Sequence, residues 1–429
     1  MPTYVFTNRA YPPVGGATGE LLKELAEGLV AGGARVVVVT ARTEEERSGD
    51  RSQAAEGEQR SSGASGLQSF GEAVADGEGN RREKAQEDLR LTDLKLKTPT
   101  GVEVIRVGTA RFTRTSHGRR ALSYLGLYPQ LMWQVWKLGR VDAVVSMTDP
   151  PLQVAAVTLA SCRAKKKIHW AQDVYPELAE ELSVIGRGGL LARVLRAVSN
   201  WALRRQDEIV VVGRCMRERL IRRGIGAEKI EVIPNWSPVG SVSADAVLAV
   251  RQKLGWDGKF VALYSGNIGL AHDFETLVGA AKLLEGAGVT MVFAGEGPRL
   301  EEVKRTTVGM AHVSFLPPQP KEELGAFLAA ADVHLVTVRP GLEGLVVPSK
   351  AYGILAAGRP MIYVGPRDSE VACLLDETQA GQVVANGDSA ALASMLRQRA
   401  EAPGLPQTVI AEEFALPKAL GRWKEILDS

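Results

Sequence analysis

The amino-acid sequence predicts an α/β protein built from two doubly wound parallel-sheet domains that face a cleft. Two observations predict it. Short apolar strands alternate with amphipathic helical stretches in two series of similar size, and each series opens with a strand running into a glycine-bearing turn. The length, 429 residues, exceeds one ordinary core and agrees with two domains.

The elements follow in order. "TYVFTNR" reads as a short buried strand that enters "AYPPVGGATG". The helical pattern Leu21, Leu22, Leu25, Leu29 and the strand "ARVVVVTA" complete a strand–helix–strand unit. Residues 43–98 are rich in Gly, Ser, Glu, Gln and Arg and poor in large apolar side chains, so they are expected to be a disordered insertion. "VEVIRV", "VDAVVSM", "KKIHWA", "DEIVVVG" and "KIEVIPN" then resume the alternation. Pro234, Asn235, Trp236 and Pro238 mark a turn-rich exit. The second series is "KFVALYSGN", "VTMVFAG", "HVSFLPP", "DVHLVTV", "PMIYVG" and "GQVVA". The expected organisation is a first domain over 1–235, a linker over 236–256, a second domain over 257–410, and a helix over 411–429 that crosses back to the first domain.

Composition narrows the function classes. Hydrophobic residues are 45% and charged residues 24%, the balance of a globular protein. The three cysteines lie far apart without a CxxC pair, which argues against a disulfide framework or zinc site and suits a reducing cytoplasm. The start "MPTYVFTNRAYPP" lacks the basic and apolar regions of a signal peptide. There is no run of about 18 apolar residues to span a bilayer. A net charge of +2 and the lack of a binding module disfavour nucleic acid as a partner.

Glycines mark the candidate site. "PPVGGATGELL" sets Gly15, Gly16 and Gly19 between a strand and a helix, where a small residue serves equally a tight turn or the approach of a ligand. The spacing is not GxGxxG, and the next strand ends in Thr40-Ala41-Arg42 without the acid that would hold an NAD ribose. "YSGNIGLAHDFETL" repeats the arrangement with Gly266 and Gly269, and "FAGEGPRLEEV" with Gly295, Glu296 and Gly297. Three such strand ends together suit a phosphorylated ligand.

These segments, with "PSKAYGILAAGRPMIYV" and "GQVVANGDSAAL", resemble the retaining glycosyltransferases of the GT-B fold, which pair two Rossmann-like domains and use nucleotide-sugar donors. "HWAQDVYPE" and "VVPSKAYGILAAGRP" are similar to the branch near the colanic acid biosynthesis glycosyltransferases. The resemblance spans most of the chain outside 43–98. It implies transfer of a sugar from a UDP- or GDP-linked donor, a co-substrate rather than a cofactor, to a glycan or polyprenyl-linked acceptor in cell-surface or exported polysaccharide synthesis. The family's acceptors are often lipid-linked sugars, which fits a cytoplasmic enzyme, either free or peripheral on the inner face of the cell membrane.

Site residues follow from the same resemblance. The family carries two Glu residues separated by seven others on the loop entering a helix of the second domain. Counting from Pro348 assigns the first to Glu343, a donor-sugar contact; counting back from Gly358-Arg359-Pro360 puts the two positions at Leu345 and Gly353. Where the family has an Arg and a Lys for the diphosphate, this chain has Asn267 and His272. Lys350, after Pro348 and Ser349, is the better cation, with Arg339 a second and Glu296 nearby. The first-domain His of many relatives is missing. Asp149 and Asp173 are the candidates to orient or deprotonate an acceptor hydroxyl, and His169 reads as a core residue. No DxD motif calls for a metal.

Two segments suggest an anionic membrane surface as a partner. Residues 187–223 hold ten Arg against three acids, and "RRALSYLGLYPQLMWQVWKL" adds Tyr124, Tyr128, Trp133 and Trp136 to a basic flank. The competing functions are a sugar-nucleotide 2-epimerase on the same architecture and a degenerate, non-catalytic transferase acting as a binding or scaffold protein.

Overall fold

The computed structural model describes residues 1–13, 16–42, 94–108, 117–237, 242–402 and 414–429. The chain divides into two compact units, Met1–His169 and Trp170–Ser429.

The first unit holds β1 (Thr3–Thr7), α1 (Ala17–Ala31), β2 (Arg35–Ala41), β3 (Leu94–Lys97), β4 (Glu103–Val107), α2 (His117–Lys137), β5 (Val141–Ser146) and α3 (Gln153–Ala160). Strand β6 (Ala164–Ala171) straddles its end. The strands pair in the order β3-β4-β2-β1-β5-β6, all parallel except β3. Val5 on β1 lies between Val37 and Val144 in register, and all three are buried. Near-continuous apolar runs of this kind are what strands buried on both faces require. The predicted helical stripe Leu21, Leu22, Leu25 and Leu29 is buried on α1.

Strand β3 lies inside the stretch 43–98 expected as an insertion; residues 43–93 of that stretch fall outside the described residues. Its alternating Leu94-Lys95-Leu96-Lys97 pairs antiparallel with β4 as a short, charged edge strand.

The second unit begins with α4 (Glu177–Glu181), α5 (Leu190–Leu203), β7 (Glu208–Val211), α6 (Arg214–Arg222) and β8 (Ile230–Val232), with β7 and β8 parallel. Helix α7 (Ala244–Leu254) occupies the stretch read as a linker. It is held by the Ser243 N-cap and a left-handed Gly255 at its end. Then come β9 (Phe260–Ser265), α8 (Phe274–Leu283), β10 (Val289–Ala294), α9 (Leu300–Thr306), β11 (Val313–Leu316) and α10 (Lys321–Ala330). The unit closes with β12 (Val333–Thr337), α11 (Lys350–Ala356), β13 (Met361–Val364), α12 (Glu370–Thr378), β14 (Gly381–Val384), α13 (Ser389–Glu401) and α14 (Leu416–Asp428).

Strands β9 to β14 form an all-parallel sheet in the order β11-β10-β9-β12-β13-β14. The chain order reverses between β9 and β12. Side by side, their carboxyl ends open the crevice where doubly wound sheets take ligands. Tyr264, Phe274, Met291, Phe293 and Leu335 pack beneath that edge. Helix α14 buries Trp423 edge-on against Trp170, with ring centroids 4.9 Å apart.

Candidate active site

The crevice is built from three loops. At the end of β9, Gly266 donates its N–H to Ala294 O at 2.9 Å, and at the end of β10 Gly295 donates to Leu316 O at 3.0 Å. The sheet pattern therefore runs on into both glycine turns. A Cβ on Gly295, whose φ is 138°, would lie 2.0 Å from Gly266 O, so only glycine lets the two turns touch. Ile268 N donates to the carbonyl of Glu296 at 2.8 Å, and Arg299 N to Ile268 O at 3.1 Å, closing one turn onto the other. Glu296 itself is exposed, and Asn267 fills the space beside Gly269 and Gly297.

Lys350 reaches into this frame from the start of α11, behind the half-buried Pro348 and Ser349. Its Nζ lies 3.5 Å from the centroid of the Tyr264 ring, and a Cβ on Gly266 would lie 3.4 Å from the same amine. The Tyr264 hydroxyl is tied to Asn267 O at 2.7 Å, which holds the ring still. The residue as a whole is half-buried, yet Nζ is covered and has no hydrogen-bond partner. Losing water without gaining an acceptor disfavours the ammonium, and burial brings its pKa down to about 7. An aromatic face compensates only part of that cost.

His272 plays a different part from the one expected. Its Nδ1 donates to Thr337 O at 2.6 Å, and its ring meets Tyr264 edge-on. Burial first, then the charge of Lys350, pushes its pKa down to about 3. The ring is therefore neutral, its one N–H is committed, and Nε2 can only accept. It cannot donate to a phosphate. Arg339 is exposed and lies over the same loop, its N–H on Ala271 O at 3.0 Å and its guanidinium on Leu270 O at 3.3 Å. Sequence reasoning passed over Arg299. Its buried guanidinium bonds His272 O at 3.0 Å and ion-pairs with Glu275 and Glu302. The signal was an Arg directly after the "GEGP" turn, leading into a helix with acids on its first turn.

The loop of residues 339–349 carries Glu343. Its Oε1 accepts the N–H of Gly341 at 2.8 Å, and its carbonyl accepts from Arg219 of α6 at 2.9 Å. Val174 N donates to Leu345 O at 2.9 Å, and Asp173 forms an antiparallel bridge with Val346. Asp173 and the Glu343 loop are thus brought together. Leu345 is fully buried and Gly353 is buried within α11, so neither of the alternative acidic positions faces solvent.

In the first unit, Gly16 opens α1 with φ 144°, and Gly15 lies outside the described residues. Asp149 receives Arg9 Nε on both oxygens, at 2.9 and 2.8 Å, and Arg9 N donates to its carbonyl at 2.6 Å. This geometry engages both carboxylate oxygens of Asp149 with Arg9. The buried His169 places Nδ1 2.9 Å from Ser146 O, the core position expected of it. Among the described residues no group of three or more His, Cys, Asp or Glu side chains could hold a metal ion.

This geometry coincides with a family match. Residues 16–236 match the glycosyl transferase 4-like domain, and residues 259–401 match the glycosyl transferases group 1 domain. The chain belongs to this glycosyltransferase family. The enzyme is 28% identical over 292 residues to the probable glycosyltransferase WbjE of Pseudomonas aeruginosa, covering 64% of this chain and 72% of the relative. It is 29% identical over 300 residues to the putative colanic acid biosynthesis glycosyl transferase WcaI of Escherichia coli K12, covering 67% and 72%. Among solved structures, Anabaena HepE in complex with UDP-glucose matches the glycosyltransferase with a TM-score of 0.66 at 15% identity, over 99% of each chain. That likeness is one of fold. The two-domain GT-B architecture and the resemblance to colanic acid-type transferases, both expected from the sequence, hold.

Proposed function

We propose that this glycosyltransferase moves a sugar from a UDP- or GDP-linked donor to a glycan or polyprenyl-linked acceptor, with retention, in cell-surface or exported polysaccharide synthesis. The name of WcaI supports the polysaccharide setting, and the UDP-glucose bound to HepE supports the donor class. The observation that carries the proposal is Lys350: a covered amine without an acceptor, set at the switch point of a parallel sheet.

The donor diphosphate occupies the crevice at the ends of β9 and β12. The amides of Gly266 and Gly295 are spent on the sheet, so the negative charge that grows on the leaving diphosphate falls to Lys350. The glycines supply room for the phosphates to approach. A cation held in place before the reaction stabilises the departing group without reorganising. Arg339, at the exposed rim of the same loop, is the second cation. Glu343 faces the sugar, Asp173, bridged to that loop just past the end of β6, orients the acceptor hydroxyl, and holding both substrates together lowers the entropic part of the barrier.

A panel of UDP- and GDP-sugars titrated against the protein, followed by melting temperature and by sugar transfer to a polyprenyl-linked acceptor, tests this. Stabilisation by one nucleotide class together with transfer is expected. No stabilisation by any donor would leave a degenerate, non-catalytic protein.

A further inference from the structure

Helix α5 presents an apolar row that the fold leaves uncovered. Leu190, Leu191, Val194 and Val198 are 80%, 58%, 49% and 38% exposed. Leu190, Val194 and Val198 are spaced four apart and share one face, and Trp201 continues it after one more turn. The opposite face buries only Ala192, Ser199, Ala202 and Leu203, which suffices to anchor the helix. Four exposed aliphatic side chains in one row are more than a scattered surface explains.

The charges around the row are one-sided. No Asp or Glu occurs from Leu182 to Gln206. Several arginines of the stretch 187–223 are already paired: Arg196 with Glu177 and Glu180, Arg214 with Glu370 and Glu377, and Arg223 with Glu177. Arg193, Arg204 and Arg205 remain exposed, and none of them pairs with a carboxylate among the described residues. Arg205 stacks over the Trp201 ring at 4.6 Å, an aromatic–cation pair at the end of the apolar row. No described helix is long and apolar enough to cross a membrane, and a helix of 14 residues, about 21 Å long, lies on a bilayer rather than through it.

We propose that α5 is a membrane-docking helix, its Leu190–Leu191–Val194–Val198 row entering the headgroup–acyl boundary of an anionic bilayer while Arg193, Arg204 and Arg205 meet lipid phosphates. Charge complementarity selects this occupant: an apolar row bordered by Arg193, Arg204 and Arg205 matches an apolar layer fenced by anions. None of these residues is among those that build the donor crevice, so the surface is tested by residues of its own.

The full-length protein is floated with phosphatidylcholine vesicles, with and without phosphatidylglycerol, at low and high salt. Flotation with the anionic vesicles alone, weakened by salt, is expected. Arg204→Gln with Arg205→Gln lowers the partition constant by about thirtyfold, from about fivefold per arginine. The Leu190→Ser, Leu191→Ser, Val194→Ser variant, altered only at exposed positions, loses flotation while keeping its melting temperature and nucleotide affinity. Flotation of that variant at the wild-type level overturns the proposal, as does failure of the wild type to float. A wild-type dimer that the triple variant breaks, without vesicle binding, assigns the row to self-association and overturns it too.

Discussion

The ammonium nitrogen of Lys350 sits 3.5 Å above the ring of Tyr264, with no oxygen to receive its protons. A protein gains no stability from a cation in such a place; an anionic ligand does. Lys350→Met keeps the aliphatic stem over the ring and deletes the buried charge. It is expected to raise the melting temperature, by about 1 kcal/mol of stability or more, while nucleotide-sugar affinity falls at least tenfold. Calorimetric unfolding and a donor titration on one preparation check both. A variant that binds donor as the wild type does would remove Lys350 from the site.

The same amine makes binding depend on pH. Its folded-state pKa is lowered from 10.5 to about 7. Below pH 7 both folded and unfolded chains hold the proton and the burial cost is in full. Between 7 and 10.5 the unfolded chain binds one more proton, so this group's contribution to stability rises with pH. Donor binding runs the other way. A diphosphate beside Nζ favours the ammonium, so affinity is expected to weaken above pH 7, by up to about tenfold per unit. Titration calorimetry near pH 8 in buffers of different ionisation enthalpy should report proton uptake in the wild type and none in Lys350→Met.

Asp149 and Arg9 form a fork on the first unit, both side chains partly buried. A structural pair predicts coupling: Arg9→Ala and Asp149→Ala together should cost less than the sum of the singles, by about 1 kcal/mol. Asp149→Asn should lower kcat less than the roughly hundredfold that removal of a general base costs. A larger loss of kcat with intact stability would return Asp149 to acceptor activation.

The contact between the turns that follow β9 and β10 offers a sharper test. Gly295→Ala places a methyl 2.0 Å from Gly266 O, on a backbone with φ 138°. Both the contact and the conformation resist a side chain, so a loss of about 2 kcal/mol or more is expected. Gly387→Ala, also at positive φ but with nothing within 4 Å of the added carbon, should cost less. Equal losses would mean that φ alone is responsible.

Periodicity exposed most of the fold because buried parallel strands leave nearly unbroken apolar runs: "ARVVVVTA" and "DVHLVTV" are β2 and β12. Strand β3 and helix α7 escaped it. One is an edge strand of alternating Leu and Lys, and the other buries no residue fully. The site was legible where chemistry is local, as with Lys350 in its Gly/Pro-framed loop. It was not legible where partners lie far along the chain. The Arg9–Asp149 fork spans 140 residues, and the bond that fixes the His272 tautomer comes from Thr337, 65 residues on. Sequence spacing carries no trace of either.

Glu343 separates a loop-holding role from a sugar-binding one. Its Oε1 caps Gly341 N within the loop that Arg219 grips through the Glu343 carbonyl. In Glu343→Gln the amide oxygen keeps the cap, and the fold should keep its melting temperature. Loss of the charge should then appear only in turnover, as a fall in kcat/KM of about tenfold or more, the cost of one charged hydrogen bond to the donor sugar. Glu343→Ala removes the cap as well and should also lower stability, by about 1 kcal/mol. If Gln behaves as wild type in both measurements while Ala loses stability and activity together, the carboxylate serves the loop and the sugar contact belongs to another residue.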